Sequence, residues 1–367
     1  MRRIVLLLAA ASLLAACTGS SDKPDKPKNN GLPDGITTQP VPSVKDGELT
    51  PSRYSLLGTL PARIDGKEVQ YHGLTDDGLA YGAVVTGHAP TGAVLTNLST
   101  GKVTYLAAEA DGPGHEVGGM ATAPGWVVWL DQYPADAYGS PHWRLYSYER
   151  ATHRVRMLAA STVDQTGATY FQLQPSIEKG NVYLSAVKAK AGTPKTNDDA
   201  YVVPLDGSAP IKALGWGSYF VQAGDGVIIS TRGSKLEWRN VATGKIAIAA
   251  HCDTSGEDCI WAAGDGVLAY EPRSGDEVYD TPITVIDASG RERTIDTPRS
   301  PMDVDAASSR WVTFESDTDE YVYDLRTDEA LRMPSGRRAV SNTGGGDVMV
   351  WVYGNGERER YEFVRLK

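Results

Sequence analysis

The chain has 367 residues, with 36 Lys and Arg side chains against 46 Asp and Glu, and a formal net charge of −10 at pH 7. An acidic surface repels phosphate backbones, which argues against DNA or RNA as a partner. After the first residues, no apolar stretch is long enough to cross a bilayer as a helix. The length exceeds one ordinary domain, so internal repeats are the first feature to look for.

The N-terminus has the layout of a secretory signal peptide. Arg2 and Arg3 precede an apolar run over residues 4–14, which is too short to span a membrane. The quartet "LAAC" that ends at Cys17 resembles the lipobox of bacterial lipoproteins. The resemblance implies cleavage after residue 16 and a lipid on Cys17 that anchors the chain to the extracytoplasmic side of the cell membrane. The alternative is an ordinary signal peptide that happens to meet a cysteine.

Residues 17–53 have the composition of a spacer. Prolines recur among Gly, Asn, Ser, Asp and Lys, and no hydrophobic periodicity is present. Such a segment cannot bury a core, and we expect it to be a disordered tether. The folded domain is therefore predicted to cover residues 54–367.

One motif recurs through this domain about every 45 residues: a turn with Gly, Asp or Ser, then a short apolar run. Its seven copies are "DGLAYGAVV", "GWVVWLD", "GNVYLSAV", "GVIISTR", "GVLAYEP", "SRWVTFES" and "GDVMVWVY". Downstream of most copies lies a strand, a tight turn and a second strand, as in "LTNLSTGKVTYLA" and "WRNVATGKIAIAA". Four short strands per repeat and little helical periodicity predict an all-β, seven-bladed β-propeller with four-stranded antiparallel blades.

The last repeat lacks one strand, because the chain ends where its final turn would come. The segment 54–64, "YSLLGTLPARI", has strand character but no repeat of its own. We therefore predict that it supplies the outermost strand of the last blade and closes the ring.

The domain resembles the TolB-like and WD-type propellers of bacterial envelope lipoproteins. The resemblance rests on the repeat rhythm and on hairpins such as "YVYDLRTDEALRM", and no Trp-Asp dipeptide recurs. It implies an architecture and carries no catalytic residues.

Two cysteines remain beside Cys17. Cys252 and Cys259 stand in "CDTSGEDC", a spacing that matches neither a CxxC redox site nor a zinc knuckle. In an exported chain such a pair is most simply a disulfide, and metal or redox chemistry is the lesser alternative.

Motifs that carry catalysis are lacking in the sequence: no Gly-x-Ser-x-Gly elbow, no His-x-His and no calcium loop of the Asp-x-Asp-x-Asp-Gly kind. We assign no catalytic residue, no metal ligand and no cofactor. A serine hydrolase triad assembled from distant positions remains open.

Polar residues on the predicted innermost strands face the central channel. They are either the walls of a water-filled channel, which we favour, or a metal or substrate site. The set comprises His72, His115, Glu116, Gln172, Gln174, Gln222, Asp303, Asp305 and Asn342.

The connections between second and third strands emerge on one face of a propeller. In repeats two, three, five and six they read as long, acidic and aromatic loops. Loops on a rigid scaffold often carry binding residues, although charges also simply keep long loops soluble. The ligand-binding candidates are Tyr133, Asp136, Tyr138, Trp143, Asp276 and Tyr279.

Two functional hypotheses follow. The first is a membrane-anchored propeller that binds a protein, glycan or small ligand in the cell envelope, with a basic or cationic partner favoured by the acidic loops. The second is a propeller enzyme, a hydrolase or lyase that uses polar residues near the channel.

Overall fold

The structure, a computed structural model, describes residues 47–87, 89–106, 116–133, 142–161, 174–188, 197–216, 220–232, 235–251, 260–271, 282–295, 301–316, 319–340, 347–354 and 358–367. These residues form seven sheets, the blades of a β-propeller, which are antiparallel except for one short edge strand. The predicted fold class is thereby confirmed.

The strands follow one another blade by blade. The chain starts with β1 (Gly47–Glu48) and β2 (Tyr54–Pro61). Blade one holds β3 (Arg63–Ile64), β4 (Lys67–Leu74), β5 (Leu79–Thr86), β6 (Ala89–Asn97) and β7 (Val103–Tyr105). Blade two holds β8 (Glu116–Ala123), β9 (Trp126–Tyr133), β10 (His142–Glu149) and β11 (Arg154–Ala160). Blade three holds β12 (Ser176–Glu178), β13 (Asn181–Lys188), β14 (Asn197–Pro204) and β15 (Lys212–Ala213).

The second half of the ring repeats the pattern. Blade four holds β16 (Phe220–Gly224), β17 (Val227–Arg232), β18 (Lys235–Asn240) and β19 (Ile246–His251). Blade five holds β20 (Ile260–Gly264), β21 (Val267–Glu271), β22 (Ile283–Ile286) and β23 (Glu292–Ile295). Blade six holds β24 (Pro301–Ala307), β25 (Trp311–Ser316), β26 (Asp319–Asp324) and β27 (Glu329–Arg332). Blade seven holds β28 (Arg337–Ala339), β29 (Val348–Tyr353) and β30 (Arg360–Leu366).

The N-terminal strand closes the ring as predicted. β2 pairs antiparallel with β30, with Tyr54 opposite Leu366 and Pro61 opposite Arg360, and so becomes the fourth strand of blade seven. The remainder of the predicted closing segment, Arg63–Ile64, pairs instead with β4 of blade one. One continuous stretch therefore joins the last blade to the first.

The folded domain begins earlier than the composition predicts. β1 pairs in parallel with β27 and adds a fifth strand to blade six. Leu49, which follows β1, is 1% exposed and packs among Trp311, Leu331 and Trp351. Residues 47–53 thus belong to the propeller because one apolar side chain anchors them, whereas residues 1–46 lie outside the described part of the chain.

The core consists of apolar clusters between neighbouring blades. Among the described residues there are seven such clusters, one for each pair of adjacent blades, including the pair formed by blades seven and one. The second strands are apolar on both faces, as in β9, where residues 127–130 are all buried. The recurring apolar run in the sequence is this doubly packed second strand.

Tight turns at one end of the blades explain the recurring Gly. Asp225 and Gly226 have φ values of 48° and 79°, and Asp265 and Gly266 have 47° and 79°. Both central residues have positive φ, as in the type I′ turns that match the twist of a two-residue hairpin. The turns between third and fourth strands leave the same end, and Asn97 caps one of them by accepting hydrogen bonds from the backbone N–H groups of Ser99 and Thr100. We call this end the short-turn face, and the opposite end, where second and third strands are joined, the long-loop face.

Candidate functional site

The first strand of each blade lies toward the central channel, and these strands enclose a cavity of about 50 Å³. A buried water needs roughly 10–15 Å³ of such space, so the cavity has room for about three to five water-sized groups. Five consecutive blades, two to six, contribute to its walls. Among the described residues its polar lining consists of Thr122, Gln174, Ser176, Gln222, Asp265 and Asp305.

The cavity lies toward the short-turn face. Thr122 stands next to the last residue of β8, and Gln222 two residues before the end of β16. Asp265 belongs to the turn that directly follows β20. The long loops leave the opposite face, so the cavity and the loops are separate features of the molecule.

Two local irregularities lie at Asp305 and Asp265, which line the cavity. Val304 pairs with Phe314 and Ala306 with Thr313, which leaves Asp305 as the extra residue of a β-bulge in β24. Bulges re-aim side chains and are common beside functional sites. The Asp265 backbone packs against Gly224, where an added Cβ would lie 2.4 Å from the Asp265 Cα. Position 224 therefore accepts only glycine while the turn of blade five stays in place.

Gln222 is the most enclosed of the carboxamides. It is 9% exposed and lines the cavity. Its amide nitrogen and oxygen do not belong to the buried side-chain atoms of the described residues that lack a hydrogen-bond partner. The hydroxyl of Ser176 accepts a hydrogen bond from the backbone N–H of Ala223 at 2.8 Å.

A phenol approaches the same region from blade one. The hydroxyl of Tyr81 lies beside Gly73 of β4, where an added Cβ would lie 2.5 Å from it. Burial, with a smaller contribution from the Asp265 carboxylate, raises the pKa of Tyr81. Tyr81 is therefore a neutral phenol at physiological pH, within electrostatic range of Asp265.

Three of the nine polar channel residues predicted from the sequence meet at the cavity: Gln174, Gln222 and Asp305. His72 and Glu116 lie on the innermost strands of blades one and two, outside the cavity lining. Burial lowers the pKa of His72 to about 4 and raises that of Glu116. His115, Gln172 and Asn342 lie outside the described residues, and Asp303 is described only in its backbone.

Sequence reasoning missed Thr122, Ser176 and Asp265. Asp265 was hidden because it occupies an ordinary Asp-Gly turn, and the same turn in blade four carries the exposed Asp225. Alignment of the sequence repeats shows where the Asp-Gly turns lie. It does not show in which blade the Asp of that turn lines the central cavity.

The predicted loop site is described only in part. Asp136, Tyr138, Asp276 and Tyr279 lie outside the described residues, and Tyr133 ends β9 with only its backbone described. Trp143 was predicted to be a contact residue in a surface loop, but the structure places it in the core. It lies in β10, is 5% exposed, and packs with Leu130 and Leu145 between blades two and three.

Blade six does not carry a long loop. β25 ends at Ser316 and β26 begins at Asp319, so only residues 317–318 connect them. Glu315 stands directly opposite Glu320 in the ladder. The acidic stretch was interpreted as a loop from its composition, yet most of it extends the two strands.

Cys17, Cys252 and Cys259 lie outside the described residues, so the lipidation and disulfide hypotheses remain predictions. In the part of the chain that the structure describes, no helix has the length and apolar character needed to span a bilayer. The same residues hold no group of three or more His, Cys, Asp or Glu side chains arranged as metal ligands.

No protein-family model and no curated protein sequence matches the chain. Solved structures match its fold. A structure from a study of two prolyl endopeptidases shares 10% identity over 82% of this chain and 50% of that one, with a TM-score of 0.54. The chain thus spans about half the length of that protein.

Two further structures match over nearly their whole length. Oligogalacturonate lyase in complex with manganese shares 11% identity over 89% of this chain and 98% of that one, with a TM-score of 0.52. YCF48 bound to D1 peptide shares 9% over 89% and 98%, with a TM-score of 0.51. Such low identities show the propeller fold alone, and the fold hosts enzymes as well as binding proteins.

Proposed function

We propose that the chain is a lipid-anchored protein of the cell envelope whose propeller binds a partner at the long-loop face. The observation that carries the proposal is the difference between the two faces. On the long-loop face the connections of blades two, three and five run over residues 134–141, 189–196 and 272–282. On the short-turn face, blades three, four and five turn within the two residues Lys179–Gly180, Asp225–Gly226 and Asp265–Gly266.

The residue types in these connections suit recognition of a basic or cationic partner. Asp136 and Tyr138 stand in the connection of blade two, and Asp276 and Tyr279 in that of blade five. Aromatic side chains provide contact area at little entropic cost, and clustered carboxylates attract positive charge. Tyr133 marks the point where the first of these connections leaves β9.

The direction of β1 supports this choice of face. β27 runs from a third-to-fourth turn toward the long-loop face, and β1 runs parallel to it. The chain therefore enters the propeller from the direction of the short-turn face. The point of entry and the long loops thus lie on opposite faces of the propeller, so the entering chain does not cover the loops.

The binding face is tested by capture of partners. The full chain and its Tyr133→Ser/Tyr138→Ser/Tyr279→Ser variant are expressed in native membranes and cross-linked, and the captured molecules are identified by mass spectrometry. We expect the triple variant to lose the specific partner and wild-type capture to weaken with added salt, because surface charge attraction is screened. Tyr105→Ser is the matched control, since this tyrosine is 47% exposed on the outer strand β7. Equal capture by the triple variant, or loss in Tyr105→Ser alone, places the binding surface elsewhere.

Anchoring is tested separately through Cys17→Ser. We expect the substitution to abolish labelling by a radioactive fatty acid and to release the chain from the membrane fraction. A variant that keeps both the label and the membrane association contradicts the lipid anchor and leaves the binding-face test untouched.

A further inference from the structure

The ring-closing strand β2 is fixed to blade one at its C-terminal end. There Ala62 donates its backbone N–H to the carbonyl of Glu359 at 3.0 Å, and the chain continues into β3, which pairs with β4. At its other end, Tyr54 pairs with Leu366, next to the last residue of the chain. Terminal strands fray unless something ties them down. Separation of β2 from β30 must therefore start at Tyr54.

The residues just before β2 hold this end to blade six, and we call residues 47–53 the clasp. Leu49 donates its backbone N–H to the carbonyl of Arg332 at 2.8 Å, which continues the parallel pairing of β1 with β27. Its side chain is 1% exposed and belongs to the apolar cluster between blades six and seven. At the end of the clasp, Arg53 forms an ion pair with Glu329 of β27 at 2.7 Å. The clasp thus bridges blade six to the start of β2.

The clasp also holds the C-terminus of the chain. The backbone N–H of Lys367 donates a hydrogen bond to the carbonyl of Arg53 at 2.9 Å, and its Nζ donates one to the carbonyl of Pro51 at 3.3 Å. Arg310 of blade six donates a hydrogen bond to the carbonyl of the same Lys367 at 2.9 Å. The start of β2 and the end of β30 are therefore both tied to blade six, and fraying of either strand disturbs contacts of the clasp.

We infer that the clasp controls opening of the propeller ring, because β2 separates from β30 only after the clasp has left blade six. Once the clasp is released, the ladder between β2 and β30 has a free end at Tyr54 and opens from there one residue pair at a time. Closure of the ring is thereby coupled to the segment through which the chain enters the propeller. The inference is independent of the proposed partner and of the lipid anchor.

The test is amide hydrogen exchange of the full-length purified chain, followed by mass spectrometry of peptides from β2 and from β13 of blade three. Exchange under native conditions reports local opening separately for each segment. We expect Leu49→Ala to accelerate exchange in β2 about tenfold more than in β13, because the cavity weakens the clasp more than the rest of the ring. Leu184→Ala is the matched control, since this leucine of β13 is 0% exposed in the cluster between blades two and three. It should accelerate exchange in β13 at least as much as in β2.

Arg53→Met is a milder second variant, because the Arg53 side chain is 46% exposed and its loss leaves the apolar core intact. We expect it to fold like the wild type and to accelerate exchange several-fold in β2 but not in β13. Equal acceleration of β2 and β13 in Leu49→Ala overturns the inference, since the clasp would then be one more contact of a ring that opens as a whole. If Leu49→Ala does not fold, Arg53→Met decides, and unchanged exchange of its β2 overturns the inference.

Discussion

Arg310 and Asp324 form a bidentate ion pair in blade six, with Nε to Oδ1 and Nη2 to Oδ2 both at 2.9 Å. The same guanidinium donates a hydrogen bond to the backbone carbonyl of Lys367 at 2.9 Å. Asp324 also accepts a hydrogen bond from the backbone N–H of Arg326. One arginine thus links a first-to-second turn, a third-to-fourth turn and the C-terminus of blade seven.

Arg310→Met is expected to destabilise the protein by about 2 kcal/mol, because it leaves a largely buried carboxylate without its charged partner. Urea unfolding measures the change. The control is Arg365→Met, whose ion pair with Asp347 spans 2.8 Å but leaves the two side chains 48% and 50% exposed. Exposed ion pairs contribute less than about 1 kcal/mol. Equal losses of unfolding free energy in the two variants would therefore contradict a stabilising link through Arg310.

Leu49 anchors the segment that precedes the closing strand. Leu49→Ala should lower the free energy of unfolding by about 2–4 kcal/mol, because it opens a cavity in the cluster between blades six and seven. Leu56→Ala is the comparison, since Leu56 on β2 is 53% exposed and should tolerate truncation. The melting temperatures of the two variants, measured by thermal unfolding, test this difference. An unchanged melting temperature in Leu49→Ala would indicate that residues 47–53 are part of the spacer predicted from composition.

The sequence predicts the ring well because its signals are local and repeated. The second strand of each blade must be apolar on both faces. Each tight two-residue turn needs a residue that tolerates positive φ. Apolar runs and Gly-containing turns therefore recur at a regular spacing in the sequence. Closure by β2 follows from counting, since the last blade lacks one strand and the segment from Tyr54 lacks a blade.

Features that depend on contacts between blades escape sequence reasoning. Trp143 stands beside a polar connection, and only its shared parity with the buried Leu145 shows that it faces the core. Asp265 and Asp225 occupy equivalent turns, but packing of Gly224 against Asp265 distinguishes them. Glu315 and Glu320 have a loop-like composition, yet the ladder continues through both.

Cys252 and Cys259 are predicted to form a disulfide in the exported protein. Their segment, residues 252–259, joins the outer strand β19 of blade four to the inner strand β20 of blade five. A bridge that closes so short a loop contributes about 2–3 kcal/mol on the chain-entropy model. Intact-mass measurement after alkylation, with and without reductant, tests it, and the Cys252→Ser/Cys259→Ser variant should melt lower. Two alkylated thiols in unreduced protein would contradict the prediction.

Glu320 is a carboxylate whose protonation couples stability to pH. Its pKa is raised to about 7, mainly by burial and also by the carboxylates of Asp305 and Glu315, against the lowering effects of the backbone N–H of Ala339 and the charge of Arg338. The folded-state pKa lies above the unfolded value, so folding is favoured where the group is neutral in both states. The free energy of unfolding should therefore fall as the pH rises from about 4.5 to 7, and this contribution should be constant above pH 7.

Glu320→Gln keeps an oxygen that can accept the hydrogen bond from Ala339 but never ionises. We expect the variant to match the wild type near pH 4.5 and to exceed it by about 1–2 kcal/mol at pH 8, after allowance for solvent screening of a partly exposed group. Urea unfolding at several pH values measures the difference. Glu48→Gln is the control, because Glu48 is an exposed carboxylate on β1 and should leave the pH profile unchanged. A wild-type profile that rises between pH 5 and 7 in parallel with that of Glu320→Gln would show that the Glu320 carboxylate is ionised throughout this range.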